Sequence, residues 1–272
     1  MPYLAKILIY PIKSLDGVEV PQAEVLSSGA LKGDREFAIF DVQGKFVNGK
    51  RHPKIHLLRA CYTSLFGESQ FSISTKILSL KIPNYNLPQV FNLDIEKQTL
   101  ATALIDFFGF SLTIEQNSLM GFPDDTDSPG PTVISTATLT EVASWFPGMS
   151  VDEMRRRLRA NIEIAGVPPF WEDQLFSEPN KLVSFRVGNV LFYGVNPCQR
   201  CIVPTRHPDS ATAYPDFQKI FIQKRQATLP EWVKSSHFNH FYRLSVNTRL
   251  PRSESGKILQ IGEEIKIIAD IN

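Results

Sequence analysis

Residues 194–205 read Gly194-Val195-Asn196-Pro197-Cys198-Gln199-Arg200-Cys201-Ile202-Val203-Pro204-Thr205, a Cys-x-x-Cys step late in the chain, just after a strand-like run. Arg200 directly precedes Cys201, and a cationic neighbour favours the thiolate, the form of cysteine that attacks and that binds metal. The chain has only one other cysteine, Cys61. A structural zinc site needs two more ligands at metal spacing. There is no second Cys-x-x-Cys, and His207, His237 and His240 form no recognised ligand pattern. A thioredoxin-like redox pair belongs at a helix start in a βαβ unit, whereas these surroundings read as β. Taken alone, the residues leave open that the step is two half-buried cysteines without a role.

Strand patterns flank the step: 161–164, 182–187 and 190–194 before it, 241–247 and 258–268 after it. Gly188-Asn189 reads as a hairpin, and one helical stretch lies between Pro208 and Lys234. Further back, Ser150-Val151-Asp152-Glu153 has the capping-box pattern and opens a helix over 151–158. Thr138-Leu139-Thr140-Glu141 repeats the pattern and opens a helix ending near Phe146. The loop Gly121-Phe122-Pro123-Asp124-Asp125-Thr126-Asp127-Ser128-Pro129-Gly130-Pro131 is the candidate domain boundary. Before it come a strand at 111–116 and a helical spacing of Leu100, Leu104, Phe107 and Phe108 that ends at Gly109. The first third is all β. It has strands over 3–12 and Arg35 to Asp41, a turn at 41–44 with a return over Lys45 to Asn48, and short strands at 56–65, 71–76 and 78–82. That spacing suggests a barrel or sandwich.

At 272 residues the chain can hold two domains. An apolar fraction of 43% and a mean hydropathy of −0.11 are ordinary for a globular protein. A net charge of +1 gives no global field toward nucleic acid or membrane. No apolar run reaches the roughly 18 residues a membrane span requires. The N-terminus is broken by Lys6 and Pro11, so no signal peptide is expected, and three cysteines suit a reducing compartment. The expected home is the cytoplasm.

The run Arg155, Arg156, Arg157 reads as a solvated helix face. Arg159 is different: it lies at the helix end, directly before Ala160-Asn161, where a guanidinium and an amide can present a fixed fork to an anion. Lys13-Ser14 and Gly33-Asp34-Arg35 each place a cation beside a small polar group on a loop edge. Together with the late cysteine these make a pocket for an anionic, phosphate-bearing cofactor.

On these stretches the chain resembles the MOSC-domain proteins, with the β-barrel domain that precedes MOSC in the family of the mitochondrial amidoxime-reducing component and its bacterial relatives. The resemblance is carried, in chain order, by Tyr10-Pro11-Ile12-Lys13-Ser14-Leu15-Asp16-Gly17-Val18 and Leu31-Lys32-Gly33-Asp34-Arg35-Glu36-Phe37. It continues through Arg159-Ala160-Asn161-Ile162 with Phe170-Trp171-Glu172-Asp173, then Pro197-Cys198-Gln199-Arg200-Cys201-Ile202-Val203-Pro204-Thr205, and ends at Ile261-Gly262-Glu263-Glu264-Ile265. It implies a mainly β (α+β) fold: an N-terminal β-barrel-like domain over 1–120 and a MOSC β-barrel with a few helices over 121–272.

The resemblance also implies a molybdenum cofactor, a metal held by the dithiolene of a phosphorylated pterin, with Cys201 as metal ligand and catalytic residue. Soft thiolate suits such a sulfur-rich centre. Lys13, Ser14, Arg35, Arg159 and Asn161 match family cofactor contacts, and Lys50 aligns with a basic residue in the family's Thr-x-Arg step. Ser135 and Thr136 sit at a helix start, where backbone N–H groups bind anions. Gln199 and Arg200 flank the ligand. Gln199 stands where the family often has serine, and Pro204 where it often has threonine; both changes lie near the metal. Cys198 reads as a bystander, Glu172 and Asp173 as fixing a loop beside Trp171, and His207 as a surface residue.

The implied activity is reduction of N-hydroxylated compounds, hydroxylamines or amidoximes, by two electrons and protons. Some bacterial relatives carry a C-terminal ferredoxin-like domain with four cysteines, which this chain lacks. The electrons are therefore expected from a separate reductase, ferredoxin or cytochrome b5-like protein. The alternative is a carrier that holds sulfur as a Cys201 persulfide or hands on the finished cofactor without turnover.

Overall fold

The computed structural model describes residues 1–63, 76–83, 85–233 and 235–271. Strand β1 (Tyr3–Ile9) buries Leu4, Ile7 and Ile9. The odd spacing from Leu4 to Ile7 would put them on opposite faces of a regular strand, and a register shift between Leu4 and Lys6 brings both inward. Strands β2 (Val18–Val20) and β3 (Gln22–Glu24) follow.

Strand β4 (Phe37–Asp41) turns at 41–44 and returns as expected. Asp41 N–H donates to the Lys45 carbonyl at 2.9 Å and Val47 N–H to Ile39 at 2.8 Å, although only Phe40 and Phe46 form a true bridge. A short 3-10 helix, Pro53–Leu57, takes the start of the strand expected over 56–65. Strands β5 (Arg59–Thr63), β6 (Ile77–Lys81) and β7 (Gln89–Asn92) make an antiparallel sheet. The strand expected over 71–76 falls almost wholly outside the described residues. Helix α1 (Lys97–Phe108) stops at Gly109 in the left-handed region, and β8 (Leu112–Gln116) pairs with β4. These elements bury Phe37, Ile39, Leu78, Leu80, Leu104 and Phe107 in one cluster.

Beyond the 121–131 loop, β9 (Val133–Ser135) runs directly into α2 (Thr136–Ser144). Here the capping pattern at Thr138 misplaces the helix start. Ser135 is the N-cap, its Oγ accepting the Thr138 N–H at 3.0 Å, and Thr138 lies inside the first turn. Helix α3 (Val151–Leu158) matches its capping signal: Ser150 Oγ accepts the Glu153 N–H at 3.0 Å. The C-terminal elements are β10 (Ile162–Ala165), β11 (Leu182–Val187), β12 (Val190–Gln199), α4 (Phe217–Ala227), β13 (Arg243–Arg249), β14 (Ile258–Gln260) and β15 (Ile265–Ile271). β12 runs on through Gln199 instead of ending at 194, and Gly262 divides the strand expected over 258–268.

The principal sheet has eight strands in the order β15-β11-β12-β13-β9-β10-β1-β2. β1 pairs antiparallel with β10, so the first strand of the chain joins a sheet built mainly by strands that follow residue 132. β3 likewise pairs with β14. One apolar cluster accordingly joins Leu4, Ile7 and Ile9 to Ile162, Phe185, Phe192 and Val246. The mixed, mainly β fold is the expected one.

Ser150→Ala removes the cap of α3. It is expected to lower stability by about 1 kcal/mol, read as a lower urea midpoint at unchanged m-value.

Candidate functional site

The end of α3 organises the site. Its arginines do not form the solvated face expected of them, because the helix is wedged between the sheet and the 201–213 loop. Arg155 donates to the buried Glu163 carboxylate at 2.6 Å. Arg156 reaches Asp209 and Asp16. Arg157, only 3% exposed, donates to the Pro204 carbonyl at 2.7 Å and holds Glu153. From the other side, the Arg200 guanidinium donates to the Leu158 carbonyl. One helix turn therefore anchors both ends of the segment that carries Cys201.

Arg159 closes α3 in the left-handed conformation, φ 56°. This swings its guanidinium over the Tyr10 ring, 4.2 Å from the centroid, and leaves Nη2 buried without a partner. Arg35 lies 5.1 Å from the same ring. It is paired with Asp34 and donates to Asn161 Oδ1 at 3.3 Å and to the Arg159 carbonyl at 3.4 Å. Asn161 is fixed in turn by donating Nδ2 to Leu8 and accepting the Thr132 N–H. Ser14 (φ 74°), Arg35 (φ 49°) and Arg159 are all left-handed non-glycine residues. Each such position costs about 1–2 kcal/mol, and strain of this kind collects at functional sites.

Lys13 completes the group. It is buried, sits over Phe46 at 5.0 Å, donates to the Phe122 carbonyl at 2.8 Å and pairs with Asp124. Burial lowers the pKa of Lys13 and of Arg159. Desolvation works against the charge on Asp124, but Lys13 and Arg35 outweigh it and hold the carboxyl down at about 2. The structure thus brings Arg35, Arg159 and Asn161 together at Tyr10, with Lys13 near both guanidiniums and Ser14 next to it in the chain, although residues 10–35 and 159–161 are more than a hundred positions apart.

Cys201 is exposed, and its sulfur accepts the Val203 N–H at 3.5 Å. Arg200 does not aim at it. With its head bound to carbonyls, Arg200 instead partly offsets the burial that pushes the Cys198 thiol up to about 11. Cys198 is buried and donates to Asn247 Oδ1 at 2.7 Å. Gln199 points outward at the end of β12. Lys50 is exposed beside Gly49, whose carbonyl accepts from Arg206. A Cβ on Gly49 would lie 2.8 Å from His56 Nε2 and 3.3 Å from Val203, so only glycine lets this loop approach the Cys201 segment so closely. Burial, with Arg159, Arg206 and Arg59 nearby, holds the His56 imidazole down at about 4.

Ser135 and Thr136 lie where β9, the neighbour of β10, runs into α2. Ser135 donates to Thr138 at 2.8 Å, Thr138 donates to Glu172 at 3.0 Å, and Thr136 donates to Glu163 at 2.8 Å. Their side chains serve the interior. Glu172 and Asp173 are buried there too, Asp173 paired with the fully buried Arg225 at 2.6 Å. This fits the reading that they fix a loop. Burial and the neighbouring Asp173 push the Glu172 carboxyl up to about 7. Sequence reasoning gave no role to Tyr10, Asp34, Asp124 or His56. Tyr10 and Asp34 stand inside the quoted motifs, whereas nothing local marks Asp124 or His56. Among the described residues, no group of three or more His, Cys, Asp and Glu is placed to hold a metal ion. None of their helices is long and apolar enough to cross a membrane.

The family profile described as the MOSC N-terminal beta barrel domain matches residues 1–113, and that of the MOSC domain matches residues 132–266. Mitochondrial amidoxime reducing component 2 of Bos taurus is 25% identical over 240 residues, covering 76% of this chain and 67% of that protein. Mitochondrial amidoxime-reducing component 1 of Homo sapiens is 25% identical over 235 residues, with the same two coverages, 76% and 67%. Molybdenum cofactor sulfurase of Caenorhabditis elegans is 24% identical over 292 residues, covering 99% of this chain but 36% of its own length.

Iodoacetamide at neutral pH is expected to label Cys61 and Cys201 well before Cys198, as followed by peptide mass spectrometry, because only Cys198 is buried and hydrogen-bonded. Glu172 gives a pH signature. Its carboxyl holds a proton to about 7 when folded, against 4.5 as the ordinary value. In that window the folded state binds the extra proton, so this group makes stability fall as pH rises through it. Glu172→Gln should remove that decline, so the variant gains on the parent protein between those pH values in urea unfolding. Parallel pH profiles would show that Glu172 does not titrate in this window.

Proposed function

Because the chain is a MOSC-domain protein that carries the MOSC N-terminal beta barrel domain ahead of MOSC, we propose that it binds a molybdenum cofactor and reduces N-hydroxylated compounds. The observation that carries this reading is the convergence of Arg35 and Arg159 on the Tyr10 ring, with Lys13 close enough to feel both charges and Arg159 Nη2 buried and without a partner, on the helix end that also anchors the Cys201 segment. A buried, unpaired guanidinium nitrogen is costly unless an anion satisfies it, and a phosphorylated pterin offers one.

The donor set fits such a group. Cys201 would hold the metal through its exposed thiolate, the soft ligand that a sulfur-rich centre takes. Lys13, Ser14, Arg35 and Arg159 would hold the phosphate, with Asn161 orienting Arg35. When bound, the cofactor supplies two-electron chemistry at the metal. The chain's own residues do the positioning. Arg157 and Arg200 fix the segment on either side of Cys201, and the strained backbone at Ser14, Arg35 and Arg159 holds the donors in place before any ligand arrives. Exposure of Cys201 and Ile202 leaves that side of the segment open to a small hydroxylamine or amidoxime. Lys50 stands at the rim, near the same segment. Electrons come from a separate donor protein on this reading.

A second reading is favoured by the match to the sulfurase, which covers 99% of this chain. In it the protein holds sulfur or cofactor at Cys201 and turns nothing over.

Protein purified from a cofactor-competent host should contain molybdenum and reduce benzamidoxime with an artificial electron donor. Cys201→Ala should lose activity by at least about a hundredfold, while Cys198→Ala keeps most of it. Bound molybdenum with no reduction of any N-hydroxylated substrate would favour the carrier. Full metal content and activity in Cys201→Ala would remove the ligand assignment.

A further inference from the structure

Asp124 lies among the cations of the pocket, and its position differs from that of the other carboxylate there. Asp34 is built in: its side chain is 12% exposed, it pairs with Arg35, and it accepts the Tyr10 N–H at 2.9 Å. The Asp124 side chain is 84% exposed and its carboxylate makes one contact, to the Lys13 ammonium. It can therefore leave without disturbing any backbone bond.

The loop that carries Asp124 is pinned at both ends and open in the middle. At one end Gly121 (φ 70°) passes so close to Arg35 that an added Cβ would lie 2.3 Å from the Asp34 carbonyl oxygen, and the Phe122 N–H donates to Arg35 at 2.8 Å. At the other, Gly130 abuts Thr248. Residues 124, 126 and 127 between these pins are exposed. The loop is thus held in register with the cations while one side chain remains free to turn outward.

We propose that Asp124 is a built-in counter-ion of the pocket: its carboxylate pairs with Lys13 in the free protein and is displaced when a phosphate monoester enters among Lys13, Arg35 and Arg159. The inference rests on the anion-pocket reading given above. Charge balance supports it. Three cations face two carboxylates while Asp124 is in place. With Asp124 turned out, two positive charges are left over, which matches the nearly doubly charged phosphate monoester at neutral pH. The exchange keeps Lys13 paired at every stage, which matters for a buried ammonium whose charge is costly to leave uncompensated. It also makes Asp124 a specificity device, since a singly charged anion would replace it with no net gain in pairing.

Titration calorimetry of the metal-free full-length protein with phenyl phosphate, at pH 7.5 and low ionic strength, tests this. Asp124→Asn should bind about tenfold more tightly than the parent chain, a gain that shrinks as salt screens it. Asp124→Ala should show the same gain, which assigns the effect to charge and not to the amide. Lys13→Met should weaken binding. If Asp124→Asn and Asp124→Ala bind no more tightly than the parent while Lys13→Met weakens it, the counter-ion role is overturned and the pocket stands. If no form binds the ester at millimolar concentration, the pocket reading fails and takes this inference with it.

Discussion

Arg157 donates to the Pro204 carbonyl and Arg200 donates to the Leu158 carbonyl. This reciprocal pair ties the last turn of α3 to the segment bearing Cys201. The same turn ends at Arg159, whose left-handed backbone sends its guanidinium over Tyr10. Moving this helix end would move the Arg159 guanidinium and the Cys201 segment together. Hydrogen bonds to charged groups are the stronger kind, roughly 1.5–3 kcal/mol each, and here they act on buried or half-buried partners where water competes poorly.

The cost of this arrangement is visible. Burial depresses the pKa of Lys13 and Arg159, and three of the residues involved hold unfavourable backbone conformations. The surroundings offset that cost unevenly. Asp34 compensates Arg35, the Tyr10 ring faces Arg35 and Arg159, and Asp124 compensates Lys13 from the solvent side. Arg159 Nη2 is left over. A pocket tuned only for stability would have paired that nitrogen or replaced it with an apolar side chain. Leaving it unpaired, in a strained loop, is the mark of a site prepared for something else.

Sequence motifs located the pieces well and their use less well. The Ser150 cap, Gly109 as a helix stop and the Gly188-Asn189 hairpin were legible because each is a local rule. The Thr138 capping pattern failed because Ser135, one turn earlier, already filled the N-cap position in direct continuation of β9. The arginine run misled for a different reason. Nothing in its composition shows that Arg157 is buried under Pro204 while Arg156 spans to Asp209. Arg200 beside Cys201 in sequence suggested direct electrostatic support, but adjacency along a chain does not set side-chain direction, and its head turns to Leu158. The hydroxyls of Ser135 and Thr136 are committed to Thr138 and Glu163, a use that the helix-start rule, which concerns backbone N–H groups, does not address.

The sequence by itself determined the kinds of element, most of their order, and the identity of the chemically able residues: Lys13, Arg35, Arg159, Asn161 and Cys201. These follow from local propensity and from side-chain chemistry, which a chain carries wherever it goes. The tertiary structure decided that β1 pairs with β10, which brings Tyr10 and Lys13 beside the end of α3. It also decided which charges are buried, which carboxylate answers each cation, and which guanidinium nitrogen has no partner. Those are properties of distance and desolvation between groups far apart in the chain, and no local pattern encodes them.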